Sequence, residues 1–290
     1  MRKTTGEKIF YIFNYFILSL VGLSCLLPLL HIIALSLSSP ESVMSGKVGI
    51  WPVEKSIESY YLILNGTPIA NAFKNSIVIT VVGVFLSMTA TILAAYPLSK
   101  KYFYARNYFT MFIVFTMLFG GGLIPSYLLV NSLGLVDKYW AIWLPGLIST
   151  YNMLVLRTFF QNIPEELEEA ARMDGCGEWR LVLQIFLPLS LPCIATLCLF
   201  YAVGYWNAFM NVLIYINKTR KFNLSVLVNQ MIRSQSLLDP TYLQAEDISS
   251  ATPEGIRAAG IMVMVVPMLL VYPLLQKYFV KGVMLGSVKG

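Results

Sequence analysis

Residues 75–99 read NSIVITVVGVFLSMTATILAAYPLS, a run with no Asp, Glu, Lys or Arg anywhere in it. A charged side chain at mid-bilayer costs roughly 2.5 to 3.5 kcal/mol on insertion scales, and a helix needs roughly 20 residues to cross the hydrocarbon core. A charge-free run of this length therefore reads as a membrane span. Lys74 and Lys100-Lys101 mark its limits. The same test applied outward finds five more windows, at 9–40, 107–136, 139–156, 181–217 and 258–276. Together they predict an all-α polytopic membrane protein with six transmembrane helices, at about 10–37, 75–98, 108–130, 139–158, 185–214 and 258–277. The stretch 59–73, with Asn65, Gly66, Pro68 and Asn71, is too short and too polar for a seventh span, and reads as extracytoplasmic loop or surface helix.

Composition supports the same class. Of 290 residues 57% are hydrophobic and only 12% charged, with a mean hydropathy of +0.68, so most apolar surface has nowhere to go except lipid. That excludes a soluble enzyme, a disordered chain and a nucleic-acid binder. The net charge of +6 is a record of membrane topology. Arg2, Lys3 and Lys8 precede an apolar run too long for a signal peptide and without a clear small-residue cleavage site, so it reads as a retained first helix. Cys25, Cys176, Cys193 and Cys198 form no metal-binding spacing, and three fall inside spans, where they read as packing residues. No metal or catalytic residue is expected. The chain reads as one transmembrane domain, 1–290.

With six spans both termini share a side, which carries twelve basic and seven acidic residues, net +5, against nine and eight, net +1, opposite. The positive-inside rule therefore makes both termini cytoplasmic. One cytoplasmic loop breaks the rule. Residues 157–180 hold six acids, Glu165, Glu166, Glu168, Glu169, Asp174 and Glu178, against three arginines. The loop reads as a short helix: Asn162 can cap it, Pro164 suits its first turn, and Glu165, Glu166 and Glu168 complement the positive end of its dipole. Asp174-Gly175 turns the chain, and a second helical stretch leads through Ile185 toward Pro188 and Pro192 at the start of the fifth span. A solvated hairpin explains the acids. Ala170, Ala171 and Met173 form a small apolar patch that a partner's cleft could accept.

The spacing Glu169-Ala170-Ala171, three residues, Gly175, nine residues, then Ile185-Phe186-Leu187-Pro188 resembles the EAA loop of permease subunits in binding-protein-dependent ABC importers. Gly120 to Pro125, Arg157 to Phe160, Tyr205-Trp206-Asn207 and the ending QKYFVKGVMLGSVKG resemble the second permease subunit of maltose-type carbohydrate importers, most of all the branch handling acidic saccharides such as alginate and pectin fragments. The resemblance implies a type I importer permease fold in a bacterial cytoplasmic (inner) membrane. It implies a second homologous permease, two ATPase subunits binding ATP and Mg, and an extracytoplasmic solute-binding protein. It implies a coupling loop at 162–188, with Glu169, Ala170, Ala171, Gly175, Ile185, Leu187 and Pro188 docking into an ATPase, which the C-terminal tail also approaches. No cofactor is implied for this chain. Independently, no GxxxxGK[ST] phosphate loop occurs in it, so nucleotide energy has to come from another polypeptide. Gly120-Gly121-Gly122 with Pro125 reads as close helix packing or a kink.

Inside the fifth span Tyr201, Tyr205, Trp206, Asn207 and Asn211 bring aromatic and amide groups to lipid depth, where an unpartnered amide is costly. They should face protein or water. Aromatic faces and amides are what a sugar needs, so these residues are candidates for a saccharide path, with interhelical hydrogen bonding as the alternative. Asn207 and Asn211, spaced i to i+4, are expected on one helix face. His31, the single histidine, reads as a packing residue. Lys218, Arg220 and Lys221 near the outer end of this span suit a polyanion or an ordinary solvated face. Two rivals fare worse. A secondary transporter would place ionisable groups at mid-membrane, and a membrane enzyme would need a catalytic cluster that the chain lacks.

Overall fold

The computed structural model describes residues 4–233 and 252–287, and only the backbone for Thr5 and for 274–287. The tail side chains and Arg2 and Lys3 lie outside the described residues. The described elements are helical: α1 Thr5–Ser36, α2 Pro40–Met44, α3 Glu58–Gly66, α4 Ile69–Ser99, α5 Arg106–Leu118, α6 Leu123–Ser132, α7 Trp140–Trp143, α8 Thr150–Gln161 and α9 Glu165–Met173. There follow α10 Glu178–Arg180, a π-helical turn Leu181–Phe186, α11 Leu187–Leu189, α12 Leu191–Trp206, α13 Met210–Tyr215, α14 Leu224–Arg233 and α15 Pro253–Ser287.

Three stretches, Gly6–Ser36, Ile69–Ser99 and Pro253–Pro273, are long and apolar enough to cross a membrane as unbroken helices. Two more are bent pairs: α5 and α6 meet at 115°, and Glu178–Leu189 meets α12 at 84°. The first bend falls at the triple glycine, where Gly122 has φ +82, a value open to glycine at little cost. The segment 139–158, expected as one span, is instead divided into α7 and α8. Pro145 has no amide to continue α7, and Ser149 starts a new helix by accepting the Asn152 amide. Charge-free length measures transfer into lipid and is blind to such breaks. The expected fifth span, 185–214, is likewise divided, because α12 stops at Trp206.

The chain forms two compact units. In the first, Met1–Ala70 with Val228–Val266, α1 opens on a reciprocal cap: the Thr4 amide donates to Glu7 Oε2 at 2.8 Å and the Glu7 amide to Thr4 Oγ1 at 3.4 Å. The loop after α1 is pinned by Glu54, whose Oε2 accepts the Ser39 and Ser42 hydroxyls at 2.8 and 2.9 Å. His31 donates from Nδ1 to the Gly49 carbonyl at 2.7 Å, a structural role. Against α3, α15 approaches so closely that a Cβ at Gly260 would stand 3.2 Å from Ile63 Cδ1.

The second unit, Asn71–Leu227 with Pro267–Gly290, is built around α4, α8 and α12. Its core includes Ile79, Met88 and Ala95 from α4, Met153, Leu156 and Phe160 from α8, and Cys193 and Leu197 from α12. Trp143 adds a polar tie, donating from Nε1 to the Ile79 carbonyl at 3.1 Å.

Candidate functional site

The acidic helix begins two residues later than the sequence expectation. Asn162 closes α8, its amide bonding to the Thr158 and Phe159 carbonyls, and Pro164 is the residue that precedes α9. At the other end the Gly175 amide donates to the Arg172 carbonyl and the Cys176 amide to the Ala171 carbonyl, both at 3.0 Å. This pair of bonds reverses the chain only if the residue after the cap is left-handed, and Gly175 has φ +80. The interval between Glu169-Ala170-Ala171 and Gly175 is thus the spacing of a helix stop. Ala171 is buried, whereas Glu169, Ala170 and Met173 are exposed, Met173 at 88%. Ile185 and Leu187 are half-buried against the core and Pro188 is exposed.

What seats this loop went unread in the sequence. Lys100, only 6% exposed, reaches Glu168 Oε2 at 2.5 Å and lies 3.7 Å from the centre of the Phe186 ring. Burial pushes its ammonium below the usual lysine range, and Glu168 opposes that shift. Arg172 bridges Glu168 Oε1 at 2.9 Å and Glu178 Oε1 at 2.6 Å, and these two carboxylates raise its pKa. Tyr96 donates its hydroxyl to Glu178 Oε2 at 2.6 Å, and Tyr102 accepts from Arg172 Nη2 at 3.1 Å. A cavity of about 620 Å³ opens beside this network, lined by Lys100, Arg106, Phe160, Glu169 and Phe186 among others. The signal that could have revealed the network was the pairing of a surplus of acids in one loop with Lys100-Lys101 at the end of the preceding span.

The fifth-span candidates meet a second cavity of about 670 Å³, lined by Tyr151, Asn152, Tyr201, Tyr205, Asn207 and Asn211 together with apolar residues. None of the residues lining it carries a charge. Tyr201 and Tyr205 are held from α4: Thr91 Oγ1 is 2.7 Å from the Tyr201 hydroxyl and Ser87 Oγ 2.8 Å from that of Tyr205. The Tyr201 hydroxyl also accepts the Ser149 amide at 2.9 Å. Trp206 is not part of the lining; it is buried, edge-on to Phe73 at 6.1 Å between ring centres.

Asn207 and Asn211 do not share a helix face, because the helix ends between them. Asn207 caps α12, its Nδ2 bonded to the Val203 carbonyl at 3.0 Å, and Asn211 belongs to α13. The break is stable because its freed carbonyls find partners: Asn223 Nδ2 donates to Ala208 at 2.6 Å and the Ser225 hydroxyl to Trp206 at 3.1 Å. Both asparagines nevertheless line the same cavity.

Beyond α13 the basic cluster is partly engaged. Asp137, at φ +61, takes Lys218 Nζ at 3.3 Å and Lys221 Nζ at 3.7 Å on its carboxylate, and the Lys221 ammonium also donates to its carbonyl. Burial works to raise the Asp137 pKa, but the amide and ammonium of Lys218 prevail and hold it below the usual range. A lowered carboxylate pKa gives an interaction complete above about pH 4 and lost only as pH falls through the lowered value, so this clasp is closed at neutral pH. Arg220 is exposed, its carbonyl held by Asn71 and Asn75, the latter at 2.8 Å.

Three long apolar helices, two sharply bent ones and an acidic helix stop seated on a buried lysine agree with what a comparison of families finds. Residues 2–285 match the family described as binding-protein-dependent transport system inner membrane component. The chain belongs to that family. As such it is a non-enzymatic permease subunit of an ABC transporter, a multi-pass inner-membrane protein with the type I permease fold. Members of the family carry no cofactor of their own. This family member is 42% identical over 284 residues to the polygalacturonan/rhamnogalacturonan transport system permease protein YtcP of Bacillus subtilis (strain 168), covering 98% of this chain and 99% of the relative. It is 40% identical over 292 residues to protein LplC of the same organism, covering 100% and 98%. Among solved structures it resembles a chain from a bacterial ABC transporter involved in the import of the acidic polysaccharide alginate, with a TM-score of 0.88, 30% identity, and coverage of 96% of this chain and 99% of that one.

Proposed function

We propose that this permease passes an oligosaccharide, with uronate oligomers as the favoured class, from an extracytoplasmic binding protein to the cytoplasm. A second homologous permease completes the pore, and two ATPase subunits that bind ATP and Mg drive it through the loop 162–188. Both termini face the cytoplasm, on the side of that loop. The observation that carries the reading is the uncharged cavity walled by tyrosines and asparagines: aromatic faces stack on the apolar faces of sugar rings while amides bond hydroxyls. The relatives named for acidic polysaccharides support the uronate class.

Replacing Asn207 and Asn211 together with Leu tests the path. Two neutral hydrogen bonds at about 1 kcal/mol each correspond to a loss of roughly thirtyfold in sugar uptake, with the complex still assembled. A complex that falls apart while its assembled fraction transports normally would make the asparagines structural instead.

Arg220 tests the charge preference. Because Asp137 already pairs with Lys218 and Lys221, Arg220 is the residue of the cluster to reverse without opening the clasp. Arg220→Glu should slow uptake of a uronate oligomer several-fold more than that of a neutral one, and raised salt should narrow the gap. Equal effects on both sugars would remove electrostatics from the account.

A further inference from the structure

We infer that α4 is the strut that carries motion of the coupling loop to the tyrosines of the cavity, with Lys100 and Tyr96 as positioning residues at one end and Ser87 and Thr91 at the other. The inference rests on the docking reading of residues 162–188 proposed above. Two routes lead from α9 to Tyr201 and Tyr205. The covalent one runs through the π-helical turn Leu181–Phe186 and then turns by 84° into α12. A bend of that size flexes, so displacement at its start is poorly conserved at its end. The second route has no such joint. Glu168 in α9 holds Lys100 at 2.5 Å, and Glu178 at the start of α10 holds Tyr96 at 2.6 Å. The second of these ties lies ahead of Pro97, so the proline in the last turn of α4 does not interrupt it. From Tyr96 the helix runs unbroken to Thr91, Ser87 and Gly83. The first two bond the hydroxyls of Tyr201 and Tyr205 at 2.7 and 2.8 Å. At Gly83 the backbone lies so close to the Tyr205 ring that an added Cβ would stand 2.7 Å from it. A rigid element gripped at both ends by short contacts, part-buried at the loop and buried at the tyrosines, transmits displacement, whereas a bent one absorbs it.

The experiment uses the whole transporter with its binding protein in proteoliposomes, and scores only the fraction assembled by size-exclusion chromatography. Lys100→Met keeps the aliphatic stem and removes the ion pair; Ser87→Ala removes the far contact, with Thr91→Val in its place if that variant does not assemble. Positions 87 and 100 are roughly 20 Å apart along a helix, far enough for unrelated losses to multiply. Each single change should lower binding-protein-stimulated hydrolysis and uptake several-fold while basal hydrolysis persists. The double variant should be no worse than the more severe single one, and Lys100→Arg should recover at least half the loss. Losses that multiply in the double variant, or a Lys100→Met that stimulates normally, would overturn the strut. Glu169→Lys, on the exposed side of α9, separates the two readings. If it is defective while the other losses multiply, the strut alone fails; if it transports normally, docking fails and the strut with it.

Discussion

Gly175→Val should abolish most sugar-driven transport, and Gly175→Asn should be far milder. At φ +80 a side chain meets strain of about 1 to 2 kcal/mol, most for a β-branched residue and least for asparagine, which tolerates the left-handed region. Nothing within 4 Å would meet a Cβ built there, so the ranking has to follow backbone preference and not size. If the strain is relieved by unwinding the end of α9, about 2 kcal/mol reduces the seated loop roughly thirtyfold. Stimulated hydrolysis and uptake in proteoliposomes would fall in the order Asn, Ala, Val, with protease accessibility of the spans unchanged. A ranking by side-chain volume would place a partner surface against Gly175 instead, and normal activity in all three would reduce the segment to a hairpin.

The second large effect is expected at Gly83. A Cβ there would lie 2.7, 2.8 and 2.9 Å from three atoms of the Tyr205 ring, which has to swing away from Ser87 and into the cavity. Overpacking of this kind costs about 1 to 3 kcal/mol and the broken hydrogen bond about 1 more. Gly83→Val should therefore lower the melting temperature of the purified complex and reduce uptake at least tenfold. In a Tyr205→Ala background Gly83→Val should lower the melting temperature far less than it does in the native chain, since the ring is what the valine strikes. An equal drop in both backgrounds would show that Gly83 packs against something else.

These two glycines also mark what the sequence could and could not show. The turn at Asp174-Gly175 was legible because helix stops are local: an acidic first turn, a short helix and a glycine at its end are set by neighbours in the chain. Nothing near Gly83 distinguishes it from any glycine in an apolar run, since its reason is Tyr205, far along the sequence. The partners of Lys100 went unread for a related cause. Counting charges for topology treats every lysine as pointing to water, and this one is turned inward onto Glu168 and Phe186. The asparagines line one cavity, but not by the shared helix face that their spacing led one to expect. An i to i+4 rule presumes a continuous helix, and side chains from Asn223 and Ser225 are what allow this one to stop. Charge-free windows pointed to apolar helices, of which three are unbroken and two are bent pairs; the bend at the triple glycine was open to reading as a kink, but the break at Pro145 was not, because hydropathy sums over a window and a hinge is a single point.

The breaks bear on how the protein is made. At a rise of 1.5 Å per residue, α5 and α8, with 13 and 12 residues, reach roughly 20 Å, well short of a hydrocarbon core of about 30 Å. Neither can leave the translocon as a finished helix, since the peptide groups at its broken end would enter lipid without partners. The unbroken stretches Gly6–Ser36 and Ile69–Ser99 precede both in the chain and need no such help. Biogenesis of the second unit is thereby ordered: the straight α4 inserts first and waits, and the broken α5 and α8 enter the bilayer with that partner already standing. For this chain synthesis order is part of the folding code.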